Sequence, residues 1–332
     1  MSLALQTYLK PLDSFLARKE VSEICINKPG ELWLEEKGQF TRHEVVELTE
    51  KRLRFLAHLI AEYNHKNLSE LKPLLSATLP NGERCQLVLP PACERGQFIC
   101  AIRKPTVADL SLMDWETRGA FQQVNEQNAR RLNPIKKTLE QHFQNGQWQA
   151  LLSFAIRSKL NILFCGGTST AKTTLLNSCL KEIPTSERLI TIEGVREVVT
   201  TLPNSVHLLA NEEADNQSTV SILDLLKVCF RLRPDRIFLS ELRAKEAYPF
   251  LRACISGHPG SLTTLHADSV ASAKEQLCFM LSEAPELQAA SEERLQRLIR
   301  TSVHLIVQMA RADDGRRFIE AIDIEGVLND LV

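Results

Sequence analysis

The segment at residues 161–177, NILFCGGTSTAKTTLLN, constrains the fold more than any other part of the chain. An apolar run ends at Cys165, a glycine-rich stretch follows, and a helical pattern opens at Lys172. A strand, a glycine-rich loop and a helix in this order direct backbone N–H groups and a helix N-terminus at one point, where they bind phosphate. The segment therefore predicts an α/β fold with an anion-binding loop at the end of a buried strand.

The loop fits the pattern G-x-x-x-x-G-K-[ST] except at Ala171, which replaces the second glycine. In such a loop the lysine reaches the β and γ oxygens of the nucleotide, and the hydroxyl after it holds Mg²⁺. An ordinary glycine-rich turn is the alternative, and the strand before it and the helix after it argue against that. We predict that the nucleotide is bound by Gly166, Gly167, Thr168, Ser169, Thr170, Ala171, Lys172, Thr173 and Thr174.

Short apolar or β-branched runs alternate with helical patterns after residue 148. The predicted strands cover residues 161–165, 188–192, 205–209, 236–239 and 262–265, and helices are predicted at 219–231 and 244–255. Such alternation is typical of a largely parallel sheet that is covered on both faces. Ligands of these sheets bind beyond the carboxyl ends of the strands.

The residues before this region have a different pattern. Residues 22–28 and 31–36 flank a Pro-Gly turn and predict a hairpin, and further strands are predicted at 85–89 and 97–102. A helix is predicted from Thr49, with apolar residues spaced three and four apart at Leu53, Leu56, Ala57, Ile60 and Ala61. We predict an α+β domain over residues 1–105, a polar linker without a core over 106–147, and an α/β domain with the phosphate-binding loop over 148–332.

Composition narrows the class of protein. The chain has 40 basic and 41 acidic residues and a net charge of -1, so we expect no cationic surface for nucleic acid or anionic lipid. None of the nine cysteines forms a C-x-x-C pair, which argues against a zinc or thioredoxin-type site and favours reduced thiols. We find neither a signal-peptide pattern nor a membrane-spanning apolar run, and expect a cytoplasmic protein.

Two further motifs follow the loop along the chain. In RLRPDRIFLSELR (residues 231–243), Glu241 comes just after a predicted strand, where a carboxylate can bind Mg²⁺ through water or polarise the attacking water. In SGHPGSLTTLHADS (residues 256–269), two histidines flank a short strand without the spacing of a helical zinc site. Each motif alone also fits an ordinary turn or a core histidine, but both follow a phosphate-binding loop.

Together these motifs resemble the traffic ATPases of type IV secretion systems, which are related to the ATPases of type II secretion and of type IV pili. The resemblance is most specific over residues 231–269 and extends more loosely from about 79 to 312. It implies a RecA-like motor domain preceded by a smaller α+β N-terminal domain. The paired C-x-x-C of type II secretion ATPases and the A-I-R-N-L-I-R-E of pilus retraction ATPases are absent, which favours the type IV secretion branch.

The resemblance also implies roles for single residues. Glu193 would belong to the acidic box, Glu241 would be the Walker B glutamate that holds Mg²⁺ through water with Thr173, and His266 would be the histidine-box residue. Arg84 and Arg103 resemble two N-terminal-domain arginines that supply charge to the leaving phosphate, although strand-edge arginines are the alternative. The family's acidic box reads I-E-D, whereas Gly194 stands in the last place here.

The implied assembly is a homohexamer that binds ATP and Mg²⁺, touches other cytoplasmic and inner-membrane components of the secretion machine, and is peripheral to the inner membrane. Three hypotheses stay open. The chain is an active motor, or a nucleotide-binding assembly module whose hydrolysis is marginal because of Ala171 and Gly194, or a DNA translocase. The near-neutral charge and the lack of an aromatic stacking stripe argue against the translocase, and we expect no direct nucleic-acid binding.

Overall fold

The computed structural model describes residues 3–105, 111–122, 127–211 and 220–330. By its internal contacts the chain forms two compact units, each made of two segments. The first unit consists of Met1–Pro105 and Ile183–Phe250, and the second consists of Thr106–Glu182 and Leu251–Val332. The predicted domain boundaries follow the chain continuously and stay a prediction.

The first unit opens with an antiparallel sheet in the order β3-β2-β1-β6-β5-β4. Its strands are β1 (Val21–Ile26), β2 (Glu31–Glu36), β3 (Gln39–Glu44), β4 (Leu74–Thr78), β5 (Arg84–Val88) and β6 (Ile99–Arg103). Helices α1 (Leu3–Leu16) and α2 (Glu50–Tyr63) share one apolar core with this sheet, to which Leu12, Leu34 and Leu53 belong. This is the α+β arrangement that the sequence predicts.

Helix α2 and the first hairpin confirm the local predictions. Thr49 is the N-cap of α2 and accepts a hydrogen bond from the backbone N–H of Arg52 at 3.2 Å, which satisfies one of the unpaired donors at the helix start. The five predicted apolar positions are the buried residues of this helix. Strands β1 and β2 pair antiparallel around Gly30, whose φ of 84° suits glycine in a tight turn.

The other segment of the first unit carries three parallel strands in the order β10-β8-β9. They are β8 (Leu189–Glu193), β9 (Ser205–Leu209) and β10 (Arg236–Leu239). Helix α7 (Ile222–Cys229) packs on β8 and β9, and α8 (Ala247–Ile255) follows β10. The predicted strands match these bounds within about one residue. Residue 219, where the α7 pattern was predicted to begin, lies outside the described residues.

The second unit contains the strand order β13-β12-β7-β11. Strands β7 (Ile162–Cys165), β11 (Leu262–Leu265) and β12 (Leu305–Arg311) are parallel, whereas β13 (Arg317–Asp323) runs antiparallel to β12. Among its helices are α5 (Trp148–Arg157), α6 (Lys172–Leu180), α9 (Val270–Ser282), α10 (Glu292–Ser302) and α11 (Glu325–Asp330), with a 3₁₀ turn at Pro285–Leu287. The β12–β13 hairpin is the antiparallel exception to the predicted parallel order.

The predicted linker contains helices α3 (Leu112–Thr117) and α4 (Gln127–Gln144). The expectation that it has no core is wrong at Leu139, which is fully buried. Helix α4 packs on α5, and the rings of Phe143 and Trp148 meet edge to face with centroids 5.4 Å apart. Leu139 and Phe143 are four residues apart and therefore lie on the same side of the helix, so a few apolar residues suffice for this contact.

All nine cysteines lie in the described part of the chain, and each is a free thiol. Burial raises the pKa of most of these thiols, for example that of Cys25 to about 12, so they stay protonated and pack as small apolar groups. Eight of the nine are buried, and Cys278 is partly buried. Across the described ranges, no helix is both long enough and apolar enough to cross a membrane.

Candidate functional site

The phosphate-binding loop joins β7 to α6 in the second unit, as predicted. Strand β7 is fully buried, and the loop begins at Gly166 directly after it. A Cβ atom at Gly166 would lie 2.5 Å from the carbonyl oxygen of Met309 and 2.7 Å from Oγ1 of Thr170. Only glycine fits there, because β12 packs against the loop at its first residue. A Cβ at Gly167 would find no contact closer than 3.6 Å.

Lys172 is the first residue of α6 and is 8% exposed. Its ammonium donates to the carbonyl oxygens of Gly166 and Gly167 at 2.7 and 2.8 Å, and so lies over the loop. The hydroxyl of Thr170 closes the loop by donating to the carbonyl of Gly167 at 2.9 Å. The loop therefore holds the positively charged ammonium of Lys172 above its own backbone, where a phosphate group can approach it.

Ala171, where the pattern has glycine, is the N-cap of α6 and has a left-handed backbone with φ of 68°. Its methyl side chain makes no capping hydrogen bond to the helix N-terminus. An α-helix carries partial positive charge at this end. The helix N-terminus and the Lys172 ammonium together fit the phosphates of a nucleotide such as ATP, and the Thr173 hydroxyl stands in the next position for Mg²⁺.

His266, the residue that the family resemblance assigns to the histidine box, lies beside the loop. Strands β11 and β7 are parallel and pair Leu265 with Cys165, so His266 and Gly166 leave the sheet side by side. Nδ1 of His266 lies 3.5 Å from the ammonium of Lys172. Asp268 belongs to the same motif, although the sequence analysis gives it no role. Its Oδ1 lies beside Gly167, 3.6 Å from where a Cβ atom on Gly167 would stand.

Arg317 also touches the loop, and sequence reasoning did not find it. Its Nε donates to the carbonyl oxygen of Ser169 at 3.0 Å. Ser169 has a left-handed backbone with φ of 61°. The contact joins residues 148 positions apart. No sequence motif predicts this hydrogen bond, because it forms only when the β12–β13 hairpin lies next to β7.

The predicted acidic residues lie in the first unit. Glu193 is the last residue of β8, and Glu241 follows β10. The two strands are parallel neighbours, and the backbone N–H of Ser240 donates to the carbonyl of Ile192 at 2.9 Å. Both carboxylates therefore stand at the carboxyl edge of neighbouring strands, and the strand of Glu241 is separated from β7 by β11.

Glu193 is fully buried, and its carboxylate is already well supplied with donors. It accepts hydrogen bonds from the backbone N–H groups of Glu197 and Val198, both at 2.8 Å, from the Thr191 hydroxyl at 2.7 Å and from Arg196 at 3.2 Å. Burial alone would raise the pKa of Glu193, but His207 and these donors outweigh it and hold the pKa below its usual value. The carboxylate therefore pins the turn that follows β8.

Glu241 is more accessible, with a side chain that is 15% exposed, and its Oε2 lies 2.7 Å from Nε of the exposed Arg243. The two predicted arginines are cross-strand neighbours, since Arg84 on β5 pairs directly with Arg103 on β6, and both are exposed. The structure thus brings together the loop and His266 in the second unit. In the first unit it brings together the two glutamates at one sheet edge and the two arginines on another sheet.

Comparison with known proteins places this chain in a family. The family model described as Type II/IV secretion system protein matches residues 6–320. The Type IV secretion system protein PtlH homolog of Bordetella bronchiseptica is 37% identical over 313 residues, which cover 93% of this chain and 91% of that protein. The Type IV secretion system protein VirB11 of Brucella suis is 35% identical over 305 residues, which cover 91% of this chain and 84% of that protein.

The solved structures give the same answer. The crystal structure of the VirB11 ATPase from the Brucella suis type IV secretion system, in complex with sulphate, has a TM-score of 0.90 to this chain and is 34% identical. The match covers 97% of this chain and 94% of that one. This confirms the predicted fold class, a RecA-like P-loop motor domain preceded by a smaller α+β domain.

Proposed function

The chain belongs to the family of type II/IV secretion system proteins, and we propose that it is the traffic ATPase of a type IV secretion system. It couples the binding and hydrolysis of ATP to substrate export or pilus assembly. The observation that carries the proposal is the loop of the second unit, where the buried Lys172 lies at the N-terminus of α6 beside His266. Relatives that are 35% and 37% identical over most of the chain bear type IV secretion names.

The residues of the loop, together with Glu241 and His266, have different proposed roles toward the nucleotide. Lys172 and the N-terminus of α6 hold the phosphates, because both present positive charge at one point. Thr173 and Glu241 would hold Mg²⁺, which would supply positive charge to the phosphates of the nucleotide. His266 lies 3.5 Å from the lysine ammonium and is placed to respond when that ammonium turns to a phosphate.

Glu193, Arg84 and Arg103 complete the set of proposed site residues. The four donors on the Glu193 carboxylate leave it little capacity to bind another group, so it acts by holding the turn after β8 in place. Arg84 and Arg103 are exposed neighbours on β5 and β6, and such a pair offers a dense positive charge to the leaving phosphate. Two arginines this close repel each other unless an anion lies between them.

Family membership supports the proposed assembly and location. The working form is a homohexamer at the cytoplasmic face of the inner membrane, where it contacts other components of the secretion machine. We expect no direct binding of nucleic acid, since the chain as a whole is nearly neutral, with a net charge of -1.

Steady-state ATP hydrolysis by the purified protein tests this function. We expect the wild type to hydrolyse ATP. The rate should fall at least about 100-fold in Lys172→Ala and in Glu241→Gln, because each substitution removes a charged group that stabilises the transition state. Lys181→Ala is the matched control, since Lys181 is an exposed lysine that caps the other end of α6. Equal rates in the wild type and Lys172→Ala would exclude this loop as the site.

The assembly module with marginal hydrolysis is the second candidate, and two observations favour it. Ala171 carries backbone strain in the loop, and Glu193 has its carboxylate occupied. Gly194 has no atom within 4 Å of an added Cβ, so the Cβ of Gly194→Asp has room. Under this reading the double change Ala171→Gly with Gly194→Asp raises the rate of hydrolysis by an order of magnitude or more. A motor that already works changes by less than about threefold.

A further inference from the structure

The β12–β13 hairpin contacts the phosphate-binding loop at two points. Met309 of β12 presents its carbonyl oxygen to the space over Gly166, and Arg317 of β13 donates to the carbonyl oxygen of Ser169. Arg317 is the first residue of β13 and pairs with Arg311, the last residue of β12. The hairpin therefore holds the first residue of the loop by packing and a middle residue by a charged hydrogen bond.

The hydrogen bond from Arg317 sets the direction of one peptide group. The peptide between Ser169 and Thr170 is trans, so the carbonyl of Ser169 and the N–H of Thr170 point in opposite directions. With the carbonyl turned out to Arg317, the N–H of Thr170 faces away from the guanidinium. A phosphate-binding loop works only when its N–H groups converge on the anion, and a carbonyl turned inward would repel it.

The backbone of Ser169 shows that this orientation requires support. Its φ of 61° is left-handed, which is unfavourable for a residue with a Cβ. Such conformations persist when the surrounding structure holds them. A guanidinium donor is suited to this task because its charge strengthens the bond to a carbonyl oxygen.

We propose that Arg317 is a positioning residue of the phosphate-binding loop, which keeps the N–H of Thr170 directed at the phosphates of the nucleotide. This inference rests on the proposed function, since it assumes that the loop binds ATP. It assigns to the β12–β13 hairpin a direct part in nucleotide affinity.

Calorimetric titration of the full chain with ADP tests the role of Arg317. We expect Arg317→Ala to bind ADP about fivefold to tenfold more weakly than the wild type, as for loss of one charged hydrogen bond. Arg317→Lys keeps the charge and a donor, and recovers at least half of this loss on a logarithmic scale. The thermal unfolding midpoint without nucleotide stays within about 2 °C of the wild type, because an exposed side chain adds little to stability.

Arg316→Ala is the matched control. Arg316 is the preceding residue, its side chain is 75% exposed, and its described contacts are Asp314 and the ring of Phe318 rather than the loop. It is expected to bind ADP within about twofold of the wild type. If Arg317→Ala also binds ADP like the wild type, or if Arg316→Ala loses as much affinity, the positioning role is overturned. If the wild type binds no ADP, the proposed function fails together with this inference.

Discussion

Ser169 and Ala171 have left-handed backbones, with φ of 61° and 68°, inside a loop whose pattern has glycine at the second of these positions. The left-handed region costs a residue with a Cβ roughly 1–2 kcal/mol compared with the right-handed region. The sequence shows that Ala171 departs from the pattern, and the structure shows that this alanine adopts the left-handed backbone that glycine favours. Ala171 is therefore strained, because it combines a left-handed backbone with a Cβ atom.

Replacing Ala171 with glycine should stabilise the protein. Glycine removes the strain but adds freedom to the unfolded chain, so the expected net gain in the free energy of unfolding is about 0.5–1 kcal/mol. Urea unfolding of the two proteins measures the difference. Ala271→Gly in α9 is the control, because Ala271 is an exposed helical residue at which glycine should destabilise. An equal loss of stability in both variants would contradict the strain at Ala171.

At the scale of single elements, the predictions succeeded where periodicity and capping agree. Helix α2 has Thr49 as its cap and apolar residues at the expected spacing, and it forms as predicted. Strand β13 was not predicted, because RFIEAID places exposed or half-exposed residues along its whole length and shows little period. Its pairing with β12 decides its structure, and pairing over distance leaves no local pattern. Arg317 was missed for the same reason.

Strand β1 carries an unusual carboxylate. Glu23 is 3% exposed and pairs across the sheet with Arg103. Burial raises the pKa of Glu23 to about 7, because the nearby Arg103 offsets only part of the desolvation. The folded protein therefore favours the neutral carboxyl group, whereas the unfolded chain titrates near 4.5.

The stability of the protein should depend on pH through Glu23. The stabilisation from the raised pKa is fully present below about 4.5 and is lost as pH rises through about 7. Glu23→Gln imitates the neutral form and should raise the free energy of unfolding by about 1–3 kcal/mol at pH 8, with little effect at pH 4.5. Denaturant unfolding at both pH values measures this. A control, Glu20→Gln, changes a side chain that is 65% exposed and should show no such trend. A Glu23→Gln effect that is equal at both pH values would refute the shift.

At the scale of the whole molecule, the sequence predicted the fold class and most strands of the motor region, but not how the chain divides into compact units. Residues 1–105 share their unit with residues 183–250. The fully buried Arg188 donates to the side chains of Asn27 and Asn204, and Asn27 donates to Asn204 at 3.0 Å. These contacts join residues up to 177 positions apart, and spacing along the chain cannot reveal them.

The residues of the candidate site also differ in how far the sequence predicted them. The loop residues were predicted as a continuous run because a single turn of backbone makes them neighbours. His266 was placed beside Lys172 by the parallel pairing of β7 and β11, which the alternation of strands and helices only suggests. The resemblance to a family supplied the roles of Glu193, Arg84 and Arg103, whereas the place of Glu241 after a predicted strand already indicated a role in binding Mg²⁺ or polarising water. The many donors on Glu193 could be learned only from the structure.

Equilibrium binding of ATP to the full chain tests the central claim most directly, namely that this loop holds the nucleotide through Lys172. Titration calorimetry with Mg²⁺ should show ATP binding to the wild type and to Lys181→Ala, and at least about 100-fold weaker binding to Lys172→Ala, or about 2.7 kcal/mol. The unfolding midpoint of Lys172→Ala verifies that it is folded. Failure of the wild type to bind ATP, or equal binding by a folded Lys172→Ala, would contradict the account.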